Sequence, residues 1–296
     1  MDRKSAALMR MIRGEKILLA PGVFSPSVAQ LAENIGFKAV YFSGAGFSNL
    51  LGLPDLGIVT LSEVVAAVGG ITSLVKTPVI VDVDTGFGEA VNVARTVGQL
   101  KSVGAAAMQI EDQVLPKKCG HLEGKELVTV DEMLKKLTAA KESASGDLLV
   151  IARTDARSVE GLDGAIERAK AYSRVGVDMI FPEALESREE FAEFRAKLGL
   201  PLLANMTEFG KTPYISAHEF EELGYNVVIF PVTAFRAAMK AAKVALQELR
   251  RNGSQEGILG SLMTRKEIYD LIGYYEYERM DRRASHAVGR LRPRGV

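Results

Sequence analysis

Two aspartates one residue apart, Asp82 and Asp84, sit at the end of the apolar run Val79–Val83. Residues two apart on an extended strand point to the same side, so both carboxylates share one face. Carboxylates this close repel unless a cation lies between them. Glu111 and Glu183, each at the end of a later apolar run, add further oxygens. An oxygen-only donor set suits a hard ion that keeps several waters, which is Mg2+ rather than zinc. The alternative is an Asp-x-Asp pair with no metal. Ser43-Gly44-Ala45-Gly46 follows another apolar run, and its small residues let backbone N–H groups approach a ligand carboxylate. Arg153 and Arg236 are able either to grip carboxylates bidentately or to close ion pairs within the fold. Cys119 lies in the polar segment Pro116-Lys117-Lys118-Cys119-Gly120-His121-Leu122-Glu123-Gly124-Lys125, which is too long for a tight turn and predicts a mobile loop. A lone cysteine is commonly buried and inert. The flanking Lys and His instead predict a thiol of lowered pKa, competent for proton transfer near neutral pH.

These residues need elements that bring them together. Eight short apolar runs recur along the chain: Ile17–Val23, Lys38–Phe42, Val79–Val83, Ala106–Ile110, Leu148–Ala152, Met179–Phe181, Pro201–Ala204 and Val227–Phe230. Between them, apolar residues fall at three- and four-residue spacing, as in Ser27–Ile35, Leu61–Leu74, Val91–Val103, Asp131–Ser145, Leu162–Val175 and Ser187–Leu198, which predicts amphipathic helices. Several helices end at a glycine before the next strand. Nearly continuous apolar strands in alternating order mean a parallel sheet buried on both faces. Eight repeats predict a closed (β/α)8 TIM-type barrel. An open doubly wound sheet is the alternative, but no glycine-rich dinucleotide loop accompanies it. Barrel sites form at the C-terminal ends of the strands. Polar residues do terminate the runs: Tyr41, Ser43 and Gly44, then Asp82 and Asp84, Glu111 and Asp112, Arg153 and Asp155, Glu183, then Asn205, Thr207 and Glu208, and finally Thr233 and Arg236.

After the eighth run, Ala234–Arg250 is predicted as a helix, Asn252-Gly253-Ser254 as a break, and Thr264–Arg283 as another helix with Thr264 as N-cap and Glu267 three residues on. Residues 1–296 are expected to form one domain, with 253–296 as a helical extension and tail. Tyr269, Ile272, Tyr275 and Tyr277 give the extension an apolar surface suited to a neighbouring subunit. Residues 285–296, with Arg290, Arg292 and Arg294 among Gly and Pro, are expected as a frayed tail rather than a nucleic-acid patch.

A hydrophobic share of 47% supports a large core, and 37 basic against 37 acidic residues leave no global field toward nucleic acid or an anionic membrane. The single cysteine rules out an internal disulfide and fits a reducing, cytoplasmic setting. The N-terminal residues lack a signal-peptide pattern, and no apolar run reaches the roughly 18 residues of a membrane helix.

Lys-Lys-Cys-Gly-His at 117–121 resembles the loop of the lyase branch of the isocitrate lyase and phosphoenolpyruvate mutase superfamily. The resemblance extends to Tyr-Phe-Ser-Gly at 41–44, Gly-Leu-Pro-Asp at 52–55, Asp-Val-Asp-Thr-Gly-Phe-Gly at 82–88 and Ile-Glu-Asp-Gln at 110–113. It continues through Ala-Arg-Thr-Asp-Ala at 152–156, Phe-Pro-Glu-Ala at 181–184, Asn-Met-Thr-Glu-Phe-Gly at 205–210 and Phe-Arg-Ala at 235–237. It implies Mg2+-dependent cleavage of a small polycarboxylate, 2-methylisocitrate, to pyruvate and succinate, as in propionate catabolism. Mg2+ would lie near Asp82 and Asp84, partly through waters, with the pyruvate carboxylate on the backbone of Ser43, Gly44 and Ala45. Tyr41 is the expected base and Cys119 the general acid, with Glu111 and His121 in support. Gly120, Arg153, Glu183, Asn205, Thr207, Arg236 and Arg265 match substrate-contacting positions. Ala45 replaces a glycine common in bacterial relatives, which backbone binding tolerates. The resemblance also implies a homotetramer whose helix after strand eight is swapped between subunits. Other substrates stay open within the branch, namely 2,3-dimethylmalate, isocitrate or oxaloacetate. A phosphoenolpyruvate mutase is a further alternative, against which Cys119-Gly120-His121 argues.

Overall fold

The computed structural model describes residues 4–291. Helix α1 (Lys4–Ile12) leads into β1 (Leu18–Val23), α2 (Pro26–Ile35), β2 (Val40–Phe42), α3 (Gly44–Leu50), α4 (Leu61–Thr72), β3 (Val79–Asp82) and α5 (Ala90–Ser102). There follow β4 (Ala107–Glu111), α6 (Val130–Ala144), β5 (Leu149–Thr154), α7 (Arg157–Arg174), β6 (Met179–Pro182), α8 (Arg188–Lys197), β7 (Leu203–Asn205), α9 (Ala217–Glu222) and β8 (Val227–Phe230). The helices start where side chains satisfy their free N–H groups. Ser25 accepts from Val28 N–H ahead of α2, and Thr60 with Glu63 and Thr129 with Glu132 form reciprocal capping boxes on α4 and α6. Gly36 ends α2 at φ 107°, a conformation that Cβ-bearing residues resist.

All strand pairs are parallel, in the order β6-β5-β4-β3-β2-β1-β8-β7. A bridge between Ile180 and Leu202 joins β6 to β7, so the eight strands form a nearly closed TIM-type barrel. Side-chain alternation divides the apolar residues into two shells. Val40, Phe42, Val79, Val81, Met108 and Ile110 pack outward in the shell that also holds buried helix residues such as Val68, Val97 and Leu137. Tyr41, Ile80, Ala107, Ile151, Phe181 and Ile229 fill the interior together with Leu8 and Ile12 of α1. Asn226, just before β8, donates to the Ile12 carbonyl at 3.1 Å, so α1 plugs the N-terminal end of the strands and leaves the other end for a site. At Gly22 a Cβ would lie 2.7 Å from Pro231 Cα and nearer still to its carbonyl, so the close approach there admits only glycine.

Three local readings change. Ser43–Gly46 is not a loop: Ser43 caps α3, and Gly44 begins it. The helix expected over Thr264–Arg283 is two helices, α11 (Arg265–Ile272) and α12 (Tyr274–Leu291), split by Gly273 at φ 70°, although the Thr264–Glu267 capping box forms as expected. Residues 285–291 continue α12 where a frayed tail is expected, while 292–296, with Arg292 and Arg294, lie outside the described residues.

The chain divides into two compact units, Met1–Ala238 and Met239–Val296. The boundary falls inside α10 (Thr233–Asn252), earlier than the expected start of the extension at 253. In the second unit a 3-10 turn (Glu256–Ser261) precedes α11, and Tyr269 stacks on Tyr274 with ring centroids 4.3 Å apart. Among the described residues no helix is long and apolar enough to cross a membrane.

Candidate active site

At the C-terminal ends of the strands lies a cavity of about 280 Å³. Its polar side carries Tyr41, Asp82, Cys119, His121, Arg153, Glu183 and Asn205, and its apolar wall Phe181, Ile229, Val232 and Phe235. Asp82 ends β3 and is 7% exposed. It accepts from Gly44 N–H and Asp84 N–H, both at 3.2 Å. Burial, and then the charge of Asp84, push its pKa up to about 6. Lys117 Nζ lies 2.8 Å from Asp84 Oδ1 and also pairs with Asp55. Glu111, at the end of β4, is buried with neither carboxylate oxygen hydrogen-bonded, and its nearest cation is Arg153 at 3.2 Å. Burial raises the Glu111 pKa well above the usual carboxylate range despite that arginine. Three crowded carboxylates, two of them driven toward neutrality, form a donor set that a hard divalent cation would relieve. Among the described residues no three His, Cys, Asp or Glu side chains converge into a ready-made cage.

Arg153 is the hub of the polar side. It donates to Asp155 through Nε at 2.9 Å and Nη2 at 3.1 Å, and lies 3.2 Å from Glu111 and 3.3 Å from Glu183. Glu183 receives Asn205 Nδ2 on both oxygens at 3.2 Å and has His121 Nε2 at 3.2 Å. Burial alone would raise the Glu183 pKa, but Arg153 and His121 hold it well below the carboxylate range. Glu183 is thus an ionised, saturated carboxylate and not a spare metal ligand.

The 116–125 segment, expected as a mobile loop, is folded over the mouth of the cavity and tied at several points. Gln113 exchanges two 2.9 Å bonds with the Lys118 backbone, His121 Nδ1 accepts from Lys211 N–H at 3.0 Å, and Lys125 Nζ lies 2.9 Å from Asp155. A Cβ on Gly120 would overlap Glu183 and fall 2.7 Å from Arg153 Nη2, so glycine is needed for the loop to seat.

The sequence profile of the phosphoenolpyruvate phosphomutase family matches residues 8–250. A 2-methylisocitrate lyase of Aeropyrum pernix is 54% identical over 98% of this chain and 94% of its own. The crystal structure of a 2,3-dimethylmalate lyase, a member of the mutase and isocitrate lyase superfamily, superposes with TM-score 0.90 at 38% identity, covering 96% of each chain. The chain belongs to the phosphoenolpyruvate mutase and isocitrate lyase superfamily. A further member, a phosphonopyruvate hydrolase in complex with oxalate and Mg2+, superposes with TM-score 0.87 at 30% identity over 95% of this chain and 99% of its own.

Within this superfamily member, most of the expected site residues meet at one place. Tyr41, Ser43, Ala45, Asp82, Cys119, Gly120, His121, Arg153, Glu183, Asn205, Thr207 and Arg236 all line the cavity. Gly44, Asp84 and Glu111 adjoin it through Asp82, Lys117 and Arg153. Arg265 begins α11 in the second unit and is not among the lining residues. One expected shift is reversed. Burial raises the Cys119 pKa, where flanking cations are expected to lower it. The flanking groups are engaged elsewhere: Lys117 with Asp55 and Asp84, Lys118 with the Gly124 carbonyl, and the His121 ring between Lys211 N–H and Glu183. Tyr41 donates its hydroxyl to Gln109 at 2.6 Å, and burial, followed by the charge of Asp82, raises its pKa well above the usual tyrosine value. Arg236 takes the ion-pair alternative, donating to the Glu208 carbonyl at 2.6 Å and carboxylate at 2.8 Å. Sequence reasoning missed Asp55 as the partner of Lys117, although Gly52-Leu53-Pro54-Asp55 stands out as a motif, and it gave no wall role to Phe181, Ile229, Val232 or Phe235, although Phe181 and Phe235 fall within quoted motifs.

Proposed function

We propose that this chain is a 2-methylisocitrate lyase that, with Mg2+, cleaves its substrate to pyruvate and succinate. The observation that carries this reading is that Cys119, the carboxylates Asp82 and Glu183, and Arg153 line one cavity, in a chain 54% identical to a 2-methylisocitrate lyase. Asp82 and Asp84 would hold Mg2+, which when bound would favour the alkoxide form of the substrate hydroxyl. The carboxylate that becomes pyruvate's would lie on the backbone of Ser43, Gly44 and Ala45, where Gly44 N–H already donates to Asp82 and Gly46 N–H to Ser43 Oγ. The hydroxyl proton passes to solvent water, its oxygen forms the new carbonyl of pyruvate, and the electrons of the breaking C–C bond pass to the succinate carbon. That carbon takes the Cys119 proton and leaves a thiolate. A thiol with raised pKa suits this role, because it arrives carrying the proton it must give. Arg153 holds the second fragment's charge, and Glu183 with Asn205 fixes the arginine.

A second reading, cleavage of 2,3-dimethylmalate, is favoured by the 0.90 superposition on that lyase. Its substrate carries a methyl where 2-methylisocitrate carries a carboxymethyl group, so the two readings differ by one carboxylate that a cationic group such as Arg153 would have to receive. The assembly we propose is a homotetramer with the helix after β8 exchanged between subunits. Its support is that α10 and α11 bury no residue, while Leu246, Leu249, Tyr275 and Tyr277 stand exposed. The function is tested by pyruvate release from 2-methylisocitrate with added Mg2+ and after chelation by EDTA. Release that stops on chelation and returns with Mg2+ is expected; release indifferent to EDTA contradicts the metal assignment.

A further inference from the structure

On the Cys119 loop, Lys117 and His121 line the cavity, whereas Lys125 does not. The Lys125 side chain is fully buried, as is that of Asp155, 2.9 Å away. Its ammonium also donates to the Gly120 carbonyl, one residue from the thiol. A buried ammonium is expensive unless it is paired and hydrogen-bonded, and its net gain in stability is small even then. What the arrangement does secure is position. Asp155 is itself fixed three ways: by Arg153 Nε at 2.9 Å, by Arg153 Nη2 at 3.1 Å, and through its backbone N–H, which donates to Asp112 Oδ1 at 2.9 Å. Asp112 is anchored in turn by the hydroxyls of Thr154 and Tyr172, both at 2.8 Å. A rigid line thus runs from α7 through β4 and β5 to the Gly120 carbonyl, and Lys125 is its last link.

We propose that Lys125 is a positioning residue that clamps the Gly120 carbonyl to Asp155 and so sets the Cys119 thiol against Glu183 and Arg153. It touches no reacting atom and acts through the loop backbone. The consequence for turnover rests on the lyase reading above; the consequence for the thiol does not.

Cys119 is the chain's single cysteine, so alkylation by iodoacetamide reports on it alone, without substrate. Lys125→Met is expected to raise the plateau alkylation rate, measured across alkaline pH, about fivefold or more as the thiol leaves its half-buried seat. Lys125→Arg, which keeps a cation that reaches Asp155, is expected to return most of that rise. With 2-methylisocitrate, Lys125→Met should lose kcat while KM stays within about threefold, because the clamp places the acid rather than the substrate. An alkylation rate in Lys125→Met rising less than about fivefold overturns the proposal. So does loss of folded protein in both variants, which would assign Lys125 to folding. Altered alkylation in a protein that releases no pyruvate would leave the clamp standing and remove the lyase reading instead.

Discussion

At the scale of single residues, chemical type and strand-end position made Asp82, Asp84, Arg153 and Glu183 legible before any fold was known, and the polar 116–125 segment did the same for Cys119. Their partners were not legible. Lys117 reaches Asp55 and Asp84, and Arg236 reaches Glu208, only once the barrel has closed. The direction of the Cys119 shift was misread for the same reason: neighbours in sequence spend their charge on groups distant in sequence, and burial then dominates. Replacing the acid tests its role directly. Cys119→Ser is expected to lower kcat about 100-fold or more with little change in KM or thermal midpoint, since a hydroxyl of much higher pKa is a poor acid here. Undiminished turnover would remove Cys119 from the mechanism. The sign of the shift also fixes a pH limb. The thiol must be protonated, and its pKa lies above the ordinary value of 9.0, so kcat is expected to hold past pH 9 and fall only above it. An alkaline fall centred near neutrality contradicts the assignment.

At the scale of elements, the alternation of apolar runs and helical spacing specified eight strands and their order, because a parallel strand buried on both faces carries a strong signal. Capping pairs such as Thr264 with Glu267 were equally visible. Helix α3 was not, since Ser-Gly-Ala-Gly is turn-like locally and becomes helical only where Ser43 caps it beside Asp82. The buried knot between β4, β5 and α7 was also hidden, although Asp112 was recognised as a strand-end residue. Asp112 accepts from Thr154, Tyr172 and Asp155 N–H, and removing the carboxylate strands three buried donors. Asp112→Ala is expected to cost about 3–5 kcal/mol, read as a lowered urea midpoint with unchanged m-value. A midpoint within experimental error of the parent would show that the knot carries no weight.

At the scale of the whole molecule, the surplus helices after β8 announced themselves in sequence as amphipathic segments with no barrel role, while their division at Gly273 and the early boundary at Met239 did not. Exposed Leu246, Leu249, Tyr275 and Tyr277 belong to a surface that the proposed exchange would cover. Light scattering on the purified protein is expected to give about four chain masses. A mass equal to the 32.0 kDa of one chain contradicts the assembly. The central claim concerns chemistry, and the most direct measurement is kcat/KM for pyruvate release from 2-methylisocitrate, isocitrate and 2,3-dimethylmalate side by side in Mg2+. The account predicts a clear preference for 2-methylisocitrate. Equal or higher kcat/KM on another of the three acids, or no pyruvate from any, would contradict it.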